Sequence, residues 1–429
     1  MDEQARTLNE TLQQENPFLL DLFSKAGLNL FFPKLGILSQ SAEAAGKRIN
    51  ATIGIAMEED GRPMYLKTIH KYLGALQPGE VYTYAPSPGK KELRDTWKEM
   101  LFKKNPGLTG KEISQPIVTG ALTHGLSTAG ELFLNQGEEI IIPSPYWENY
   151  DLMFLYRKGA RIKTFDLFSD GGFNIAGLAD ALNGNAKALL LLNFPNNPTG
   201  FTPTIEEAHQ IVATIREAAD RGKAMVVLVD DAYFGLVYEK GIITESLFSQ
   251  LADLHERVLA VKLDGPTKED YVWGFRIGFI TYGIGGSGDK KKIYAALEAK
   301  TAGAIRADAS NMSHLGQSLL YKAYQDPEYW SEKQQKNAIL HSRYREVTRV
   351  LSDKKYEETF QARPYNSGYF MCLKLRNADP EAVRKKLLDQ YDTGVISVEP
   401  DLIRVAFSST PTRFISELIE NIYQACRKI

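Results

Sequence analysis

Five short apolar runs carry the clearest pattern in this chain: EEIIIP (138–143), ALLLLNF (188–194), AMVVLVD (224–230), RVLAVKL (257–263) and FRIGFITYG (275–283). Runs such as LLLL and MVVLV do not alternate apolar with polar residues, as a strand with one wet face would. Unbroken runs mark strands covered on both faces. Between several of them the period changes to that of a helix. IEEAHQIVATIREAADRG (205–222) has a capping box at its start, Thr204 with Glu207 three residues on, and Gly222 suits its end. Lys91 to Phe102 also alternates apolar and charged residues at helical spacing. Strands interleaved with helices predict an α/β fold: a doubly wound, mostly parallel sheet flanked by helices, beginning near residue 66.

The two ends of the chain read differently. Residues 1–45 form helical pieces, with Phe18, Leu19, Leu20, Leu22 and Phe23 as a sticky cluster. MEEDGRP then makes a turn around Gly61 and Pro63. The Ala- and Gly-bearing stretch 302–316 is expected to wind over the surface, and 312–352 reads as helix. SGYFMCLKL (367–375) and DLIRVAF (401–407) look like strands of a second, mixed sheet in a smaller α/β unit. No internal repeat or low-complexity linker interrupts the chain.

Composition narrows the function classes. The 429 residues are 43% hydrophobic and 24% charged, ordinary for a soluble globular enzyme. A net charge of −2 gives nucleic-acid binding no electrostatic support. No apolar run is long enough for a membrane helix. The N-terminus lacks a basic region followed by an apolar core, so no secretory leader is expected. Two cysteines, Cys372 and Cys426, make no disulfide scaffold, and a cytoplasmic setting fits. The six histidines show no zinc-ligand spacing.

In an open parallel sheet, ligands sit beyond the carboxyl ends of the strands. Three such ends are rich in chemistry. NFPNNPTG (193–200) offers Asn197, VDDAYFG (229–235) offers Asp230 and Tyr233, and DGPTKEDYVWGFRIGF (264–279) offers Lys268 and Arg276. Asp231 reads as a surface carboxylate. Taken singly, each stretch is equally a capped loop or a solvated turn. Together they match the needs of pyridoxal phosphate: an amine for a Schiff base, an acid at the ring nitrogen, and cations or amide N–H groups for the phosphate. A rival signal is Gly283, Gly285 and Gly288 in G-x-G-x-x-G spacing after a strand. A dinucleotide site would then need a second strand closed by an acid. AGAIRADASN, which follows, does not read as that strand.

With these residues in order, the chain resembles the class I, fold-type I pyridoxal-phosphate aminotransferases, and in pattern the aspartate aminotransferases. The resemblance runs from about residue 50 to 410. It implies a large cofactor-binding domain over 66–325 and a small domain built from 1–65 and 326–429. It implies Lys268 as the Schiff-base lysine and acid/base, Asp230 at the ring nitrogen, and Tyr233 and Asn197 at the ring oxygen. Trp147 in PSPYWENY would stack on the ring. Gly120, Ala121 and Leu122 in VTGALTHG would offer backbone N–H groups to the phosphate, with Arg276 beside them. Gly54 and Arg404 would hold the substrate α-carboxylate. Tyr84 in YAPSPGKKELR and Ser310 would reach the partner's phosphate in a homodimer with shared active sites. Arg306 would meet a distal carboxylate, which favours aspartate or glutamate as donor and a 2-oxo acid as acceptor. Aromatic or neutral donors, elimination or decarboxylation on the same cofactor, and a non-catalytic cofactor-sensing domain are the alternatives. Two positions depart from the family pattern. Leu122 and Gly265 stand where hydroxyl residues are common, leaving Thr123 and Thr267 as substitutes. Glu269 and Asp270 follow the lysine where small or aromatic residues are usual.

Overall fold

Strands buried on both faces must stack side by side, and the apolar runs do so. The computed structural model describes residues 1–33, 36–398 and 400–429. Its main sheet comprises β1 (Ile117–Thr119), β2 (Glu139–Ser144), β3 (Arg161–Asp166), β4 (Lys187–Asn193), β5 (Ala224–Asp230), β6 (Val258–Asp264) and β7 (Gly278–Ile284). The order is β1-β7-β6-β5-β4-β2-β3, with β7 running against its neighbours β1 and β6 while β6, β5, β4, β2 and β3 pair in parallel. The sequence places the last run at 275–283. The strand starts at Gly278 because Trp273–Phe275 is a 3-10 turn and Arg276 takes a left-handed conformation.

After α1 (Glu3–Glu15) in the N-terminal segment, helices α2 (Lys91–Lys104), α3 (Ala121–Phe133), α4 (Ile205–Asp220) and α5 (Lys290–Asp308) are interleaved with these strands, and α3 packs on β7 and β6. The capping box of α4 forms as read: Thr204 Oγ1 accepts the Glu207 N–H at 3.1 Å and Glu207 Oε2 accepts the Thr204 N–H at 2.7 Å. The stretch 302–316 corrects the sequence reading. Ala302 and Gly303 lie inside α5, which runs on to Asp308. Small residues there are compatible with a helix held by neighbours, and only 309–313 is irregular. The G-x-G-x-x-G glycines have a packing cause. A Cβ on Gly283 would lie 2.6 Å from Ala252 Cα, and one on Gly285 2.7 Å from the His255 nitrogen. They let another backbone pass, and β7 is antiparallel, unlike a nucleotide-binding turn.

Two helices, α6 (His314–Tyr324) and α7 (Tyr329–Leu351), lead to the second sheet: β8 (Phe360–Ala362), β9 (Phe370–Leu375), β10 (Ile396–Val398) and β11 (Leu402–Ala406), ordered β8-β9-β11-β10 and antiparallel throughout. Helices α8 (Pro380–Gln390) and α9 (Thr412–Arg427) complete this part. The N-terminal segment joins it: Ile49–Asn50 pairs in parallel with Thr393–Gly394. The apolar cluster near the start stays largely outside the core, with Phe18 and Leu22 exposed.

Candidate active site

The carboxyl ends of β4, β5 and β6 form one polar ledge. At the end of β4, Asn193 donates to the Asp230 carbonyl at 2.9 Å and accepts the Asn197 N–H at 2.8 Å. That pair folds the NFPNNPTG loop back over the end of β5. Asp230 is 2% exposed. Its Oδ2 accepts the Tyr150 hydroxyl at 2.7 Å and its Oδ1 the Ala232 N–H at 3.0 Å. Burial pushes this carboxyl up, while Tyr150, Lys268 and the Ala232 amide pull it back. Tyr150 went unread in the sequence. It stands three residues after Trp147 in PSPYWENY, and the rings meet edge to face with centroids 5.5 Å apart.

Lys268 rises from a single helical turn, Pro266–Glu269, that follows β6. Its Nζ lies 5.0 Å from the Tyr233 ring centroid. Burial lowers the amine to about 8; Asp230 opposes the shift and Arg276 adds to it. A buried lysine near 8 supplies free amine close to neutral pH. Tyr233 is itself buried and packs against Tyr369 and Phe370. The Tyr369 hydroxyl donates to the Lys268 carbonyl at 2.7 Å, a further anchor on the turn.

Across the ledge, Arg404 on β11 is 1% exposed. Nη2 donates to the Thr52 carbonyl at 2.8 Å and Nη1 to Asn197 Oδ1 at 3.2 Å. Its Nε is buried without a hydrogen-bond partner. The guanidinium lies 4.2 Å from the Phe370 ring centroid, and Gly54 borders the same ring, since a Cβ there would be 3.4 Å from Phe370 Cζ. Among the described residues no carboxylate is ion-paired with Arg404. A buried cation held by neutral groups alone is costly, and burial lowers its pKa accordingly. A planar fork of this kind can receive a carboxylate in bidentate geometry.

The candidate phosphate site is the start of α3. Gly120 is its N-cap residue and no side chain caps it, so the helix N-terminus is open to an anion. The Gly120 N–H donates to His124 Nδ1 at 2.9 Å, which leaves Ala121 and Leu122 as the stronger amide candidates. His124 is a second residue the sequence did not reveal. Leu122 and Gly265, the two departures, turn out to be neighbours. A Cβ on Gly265 would sit 2.8 Å from Gly278 Cα and 3.5 Å from Leu122 Cδ1. Strand β7 passes too close for a hydroxyl residue at 265, and the Leu122 side chain lies beside that gap. Thr267 Oγ1 points at the Ile277 carbonyl at 3.5 Å, the limit of a hydrogen bond. Arg276 is exposed and donates to the Trp273 carbonyl at 3.2 Å.

The remaining candidates face outward. Tyr84 is 90% exposed. Ser310 Oγ accepts from Arg306 Nη1 at 2.6 Å and from Asn311 Nδ2 at 3.3 Å, while its carbonyl accepts from Ser87 at 2.9 Å. Within the chain, Arg306 spends this bond on Ser310.

Behind the lysine turn lies a dry ionic cluster. Asp231, read from sequence as a surface carboxylate, is 3% exposed and pairs with Lys262. Lys262 also approaches Asp264, which accepts the Trp97 indole N–H at 3.1 Å. Glu269 pairs with Lys104 at 2.9 Å and with Lys333, and Lys333 reaches Asp270 at 2.9 Å. Burial works against the Glu269 carboxylate, but the two lysines outweigh it and hold it below the usual range. The Tyr324 and Tyr329 hydroxyls donate to Asp270 at 2.9 and 2.7 Å.

A buried amine, a buried acid, an arginine lacking a carboxylate and an open helix terminus together fit the aldehyde, ring nitrogen, substrate carboxylate and phosphate of a pyridoxal-phosphate site. Among the described residues no cluster suits a metal ion, and no helix is long and apolar enough to cross a membrane.

Comparison with known proteins agrees. The model of the family "aminotransferase class I and II" matches residues 57–422. An aspartate aminotransferase of Bacillus sp. (strain YM-2) is 26% identical over 401 residues, spanning 90% of this chain and 94% of that protein. A probable N-acetyl-LL-diaminopimelate aminotransferase of Bacillus subtilis (strain 168) is 29% identical over 202 residues, 47% of each chain, so this chain spans about half the length of that relative. A crystal structure of an aminotransferase from Anaerococcus prevotii superposes with a TM-score of 0.82 at 24% identity, over 94% of this chain and 99% of that one. The chain belongs to the class I and II aminotransferases, a fold-type I family that works with pyridoxal phosphate.

Proposed function

We propose that the protein moves an amino group between an L-amino acid and a 2-oxo acid at the ledge formed by Asp230, Lys268 and Arg404. The observation that carries this reading is Arg404: a buried guanidinium with neutral partners only, opposite a buried lysine whose amine is lowered to about 8. When bound, pyridoxal phosphate supplies an electron sink for the bond broken at the substrate α-carbon.

The chain's own residues do the rest. Arg404, with the backbone near Gly54, takes the α-carboxylate in a bidentate grip. Lys268 would be the amine that holds the cofactor's aldehyde carbon and, when free, would carry a proton at the substrate α-carbon. Asp230, held by Tyr150 and the Ala232 amide, would keep a proton on the ring nitrogen. Asn197 and Tyr233 would serve the ring oxygen, and Trp147 would supply an aromatic face for the ring. The Ala121 and Leu122 amides, with Arg276, would hold the phosphate, since the Gly120 N–H is taken by His124.

Tyr84 and Ser310 would complete the partner's phosphate site in a cytoplasmic homodimer; the exposure of Tyr84 supports that role. Residues 66–325 would form the large domain, and 1–65 with 326–429 the small one. The pairing of Ile49–Asn50 with Thr393–Gly394 supports grouping the N-terminus with the C-terminal part.

Aspartate or glutamate is the favoured donor, with Arg306 of the partner subunit as distal clamp. A panel of amino donors with a 2-oxo acid acceptor, run on wild type and Arg306→Ala, tests this. Selective loss of kcat/KM for dicarboxylic donors is expected. An equal loss for all donors would remove Arg306 from the site, and keto-acid-independent turnover would replace transamination with elimination or decarboxylation.

A further inference from the structure

The turn that bears Lys268 is only four residues long, Pro266–Glu269. A single helical turn has little stability of its own, because its nucleus fixes several dihedrals for one hydrogen bond. Something outside the turn must hold it. The Tyr369 bond to the Lys268 carbonyl is one anchor. The stronger one grips the next two residues. Lys333, buried on α7, is ion-paired with both Glu269 and Asp270. Lys104 on α2 holds the other Glu269 oxygen. Tyr324 and Tyr329 satisfy Asp270.

The face of α7 around Lys333 is bolted elsewhere too. Glu332 accepts the Lys67 and Thr68 N–H groups at 2.7 and 2.9 Å, and Asn337 accepts the Tyr271 hydroxyl at 2.9 Å. Lys336 pairs with Glu58, and Arg343 with Glu59 and the Ser408 carbonyl. Glu58 and Glu59 follow Gly54, and Ser408 follows Arg404. One helix therefore grips the lysine turn at one end and the segments around the carboxylate grip at the other.

We propose that Lys333 is a positioning residue for Lys268, acting through the Glu269–Asp270 pair. Its ion pairs fix the turn so that the amine stays beside the Tyr233 ring, in register with Arg404. The proposal rests on the assignment of Lys268 as the cofactor lysine. It accounts for two carboxylates directly after that lysine, where a solvated turn would leave them exposed.

The test compares two forms of the cofactor on the full-length protein. Pyridoxal phosphate forms a bond to Lys268 with loss of water. Pyridoxamine phosphate has an amine in place of the aldehyde and uses the same phosphate and ring contacts without that bond. Affinity for each is measured on wild type, Lys333→Met, and the charge-balanced pair Lys333→Met with Glu269→Gln, which serves if the single variant does not fold. The expected result is a loss of pyridoxal phosphate affinity on the order of tenfold or more, the scale of a lost hydrogen bond to a charged group, with pyridoxamine phosphate affinity unchanged. The kcat should fall by about 100-fold, the scale of a misplacement near 1 Å, with KM for the amino donor little changed. Equal weakening of both cofactor forms, or no change in either, would overturn the proposal. Failure of the wild type to bind pyridoxal phosphate through Lys268 would instead reject the underlying assignment.

Discussion

Arg404 makes a prediction in which stability and activity part company. Replacing it with Met removes a buried guanidinium and keeps an unbranched apolar stem. The folded protein loses two hydrogen bonds to neutral acceptors, Thr52 O and Asn197 Oδ1, worth about 1 kcal/mol each or somewhat more when the donor is charged. It also sheds a desolvated cation with no ion-paired counter-charge, whose cost is of similar or larger size. Unfolding stability without substrate should therefore change by no more than about 1–2 kcal/mol. Substrate recognition loses one side of a buried, hydrogen-bonded charge pair, about 2–5 kcal/mol. That corresponds to a fall in kcat/KM of roughly 30-fold to several thousand-fold. Arg404→Lys, a point charge without the planar fork, should fall between wild type and Met. The assay is steady-state transamination beside urea unfolding. An amine without an α-carboxylate serves as control substrate, and its slow turnover should be indifferent to the change. Unaltered kcat/KM for amino acids, or an equal loss with the control amine, would refute the carboxylate-grip reasoning.

Other residues carry their own tests. Tyr150→Phe removes a hydrogen bond that lowers the Asp230 pKa, so the acid limb of the kcat/KM profile should move to higher pH, with a loss of about tenfold for one charge-assisted bond; an unmoved limb would disconnect Tyr150 from the chemistry. Gly265→Ser places a Cβ 2.8 Å from Gly278 Cα and should destabilise the protein by about 1–3 kcal/mol, as overpacking does, measured by denaturant unfolding; a stable variant would deny the close approach of β7. In the cofactor-free protein the Lys268 amine is depressed from its ordinary value of 10.5 to about 8. Between those values the unfolded chain binds the extra proton, so this group's contribution to stability is full above the unfolded value and is lost as pH falls to about 8. Lys268→Met should flatten that part of the stability profile, and an unchanged slope would contradict the burial of the amine.

The sequence made the sheet legible where strands are buried on both faces, because burial itself writes the unbroken runs that end in Asn193, Asp230 and Asp264. Chemistry concentrated at those ends could be read for the same reason, since Asn197, Asp230 and Lys268 each follow such a run. What stayed hidden depends on partners distant in sequence. Asp231 looks like a surface residue until Lys262, from the neighbouring strand, is placed beside it; a lone lysine inside the apolar run RVLAVKL was the available signal. Glu269 and Asp270 looked anomalous because Lys104, Tyr324, Tyr329 and Lys333 lie far along the chain. Tyr150 gives no sign by spacing that its hydroxyl reaches Asp230. Ala302 and Gly303 suggested an irregular surface stretch by composition, although helix α5 runs through them and meets the α3 side chain His124 at Asp308, 3.1 Å away.

The central claim is that Lys268 is the point at which pyridoxal phosphate joins this chain. Absorbance of the purified protein titrated with pyridoxal phosphate, in wild type and Lys268→Ala, tests it most directly. The account predicts a cofactor band in the wild type that shifts on addition of an amino donor, survives desalting and is fixed to the Lys268 peptide by borohydride reduction. It predicts that Lys268→Ala lacks the retained band. A wild type that stays colourless after reconstitution, or an equal band in Lys268→Ala, would contradict it.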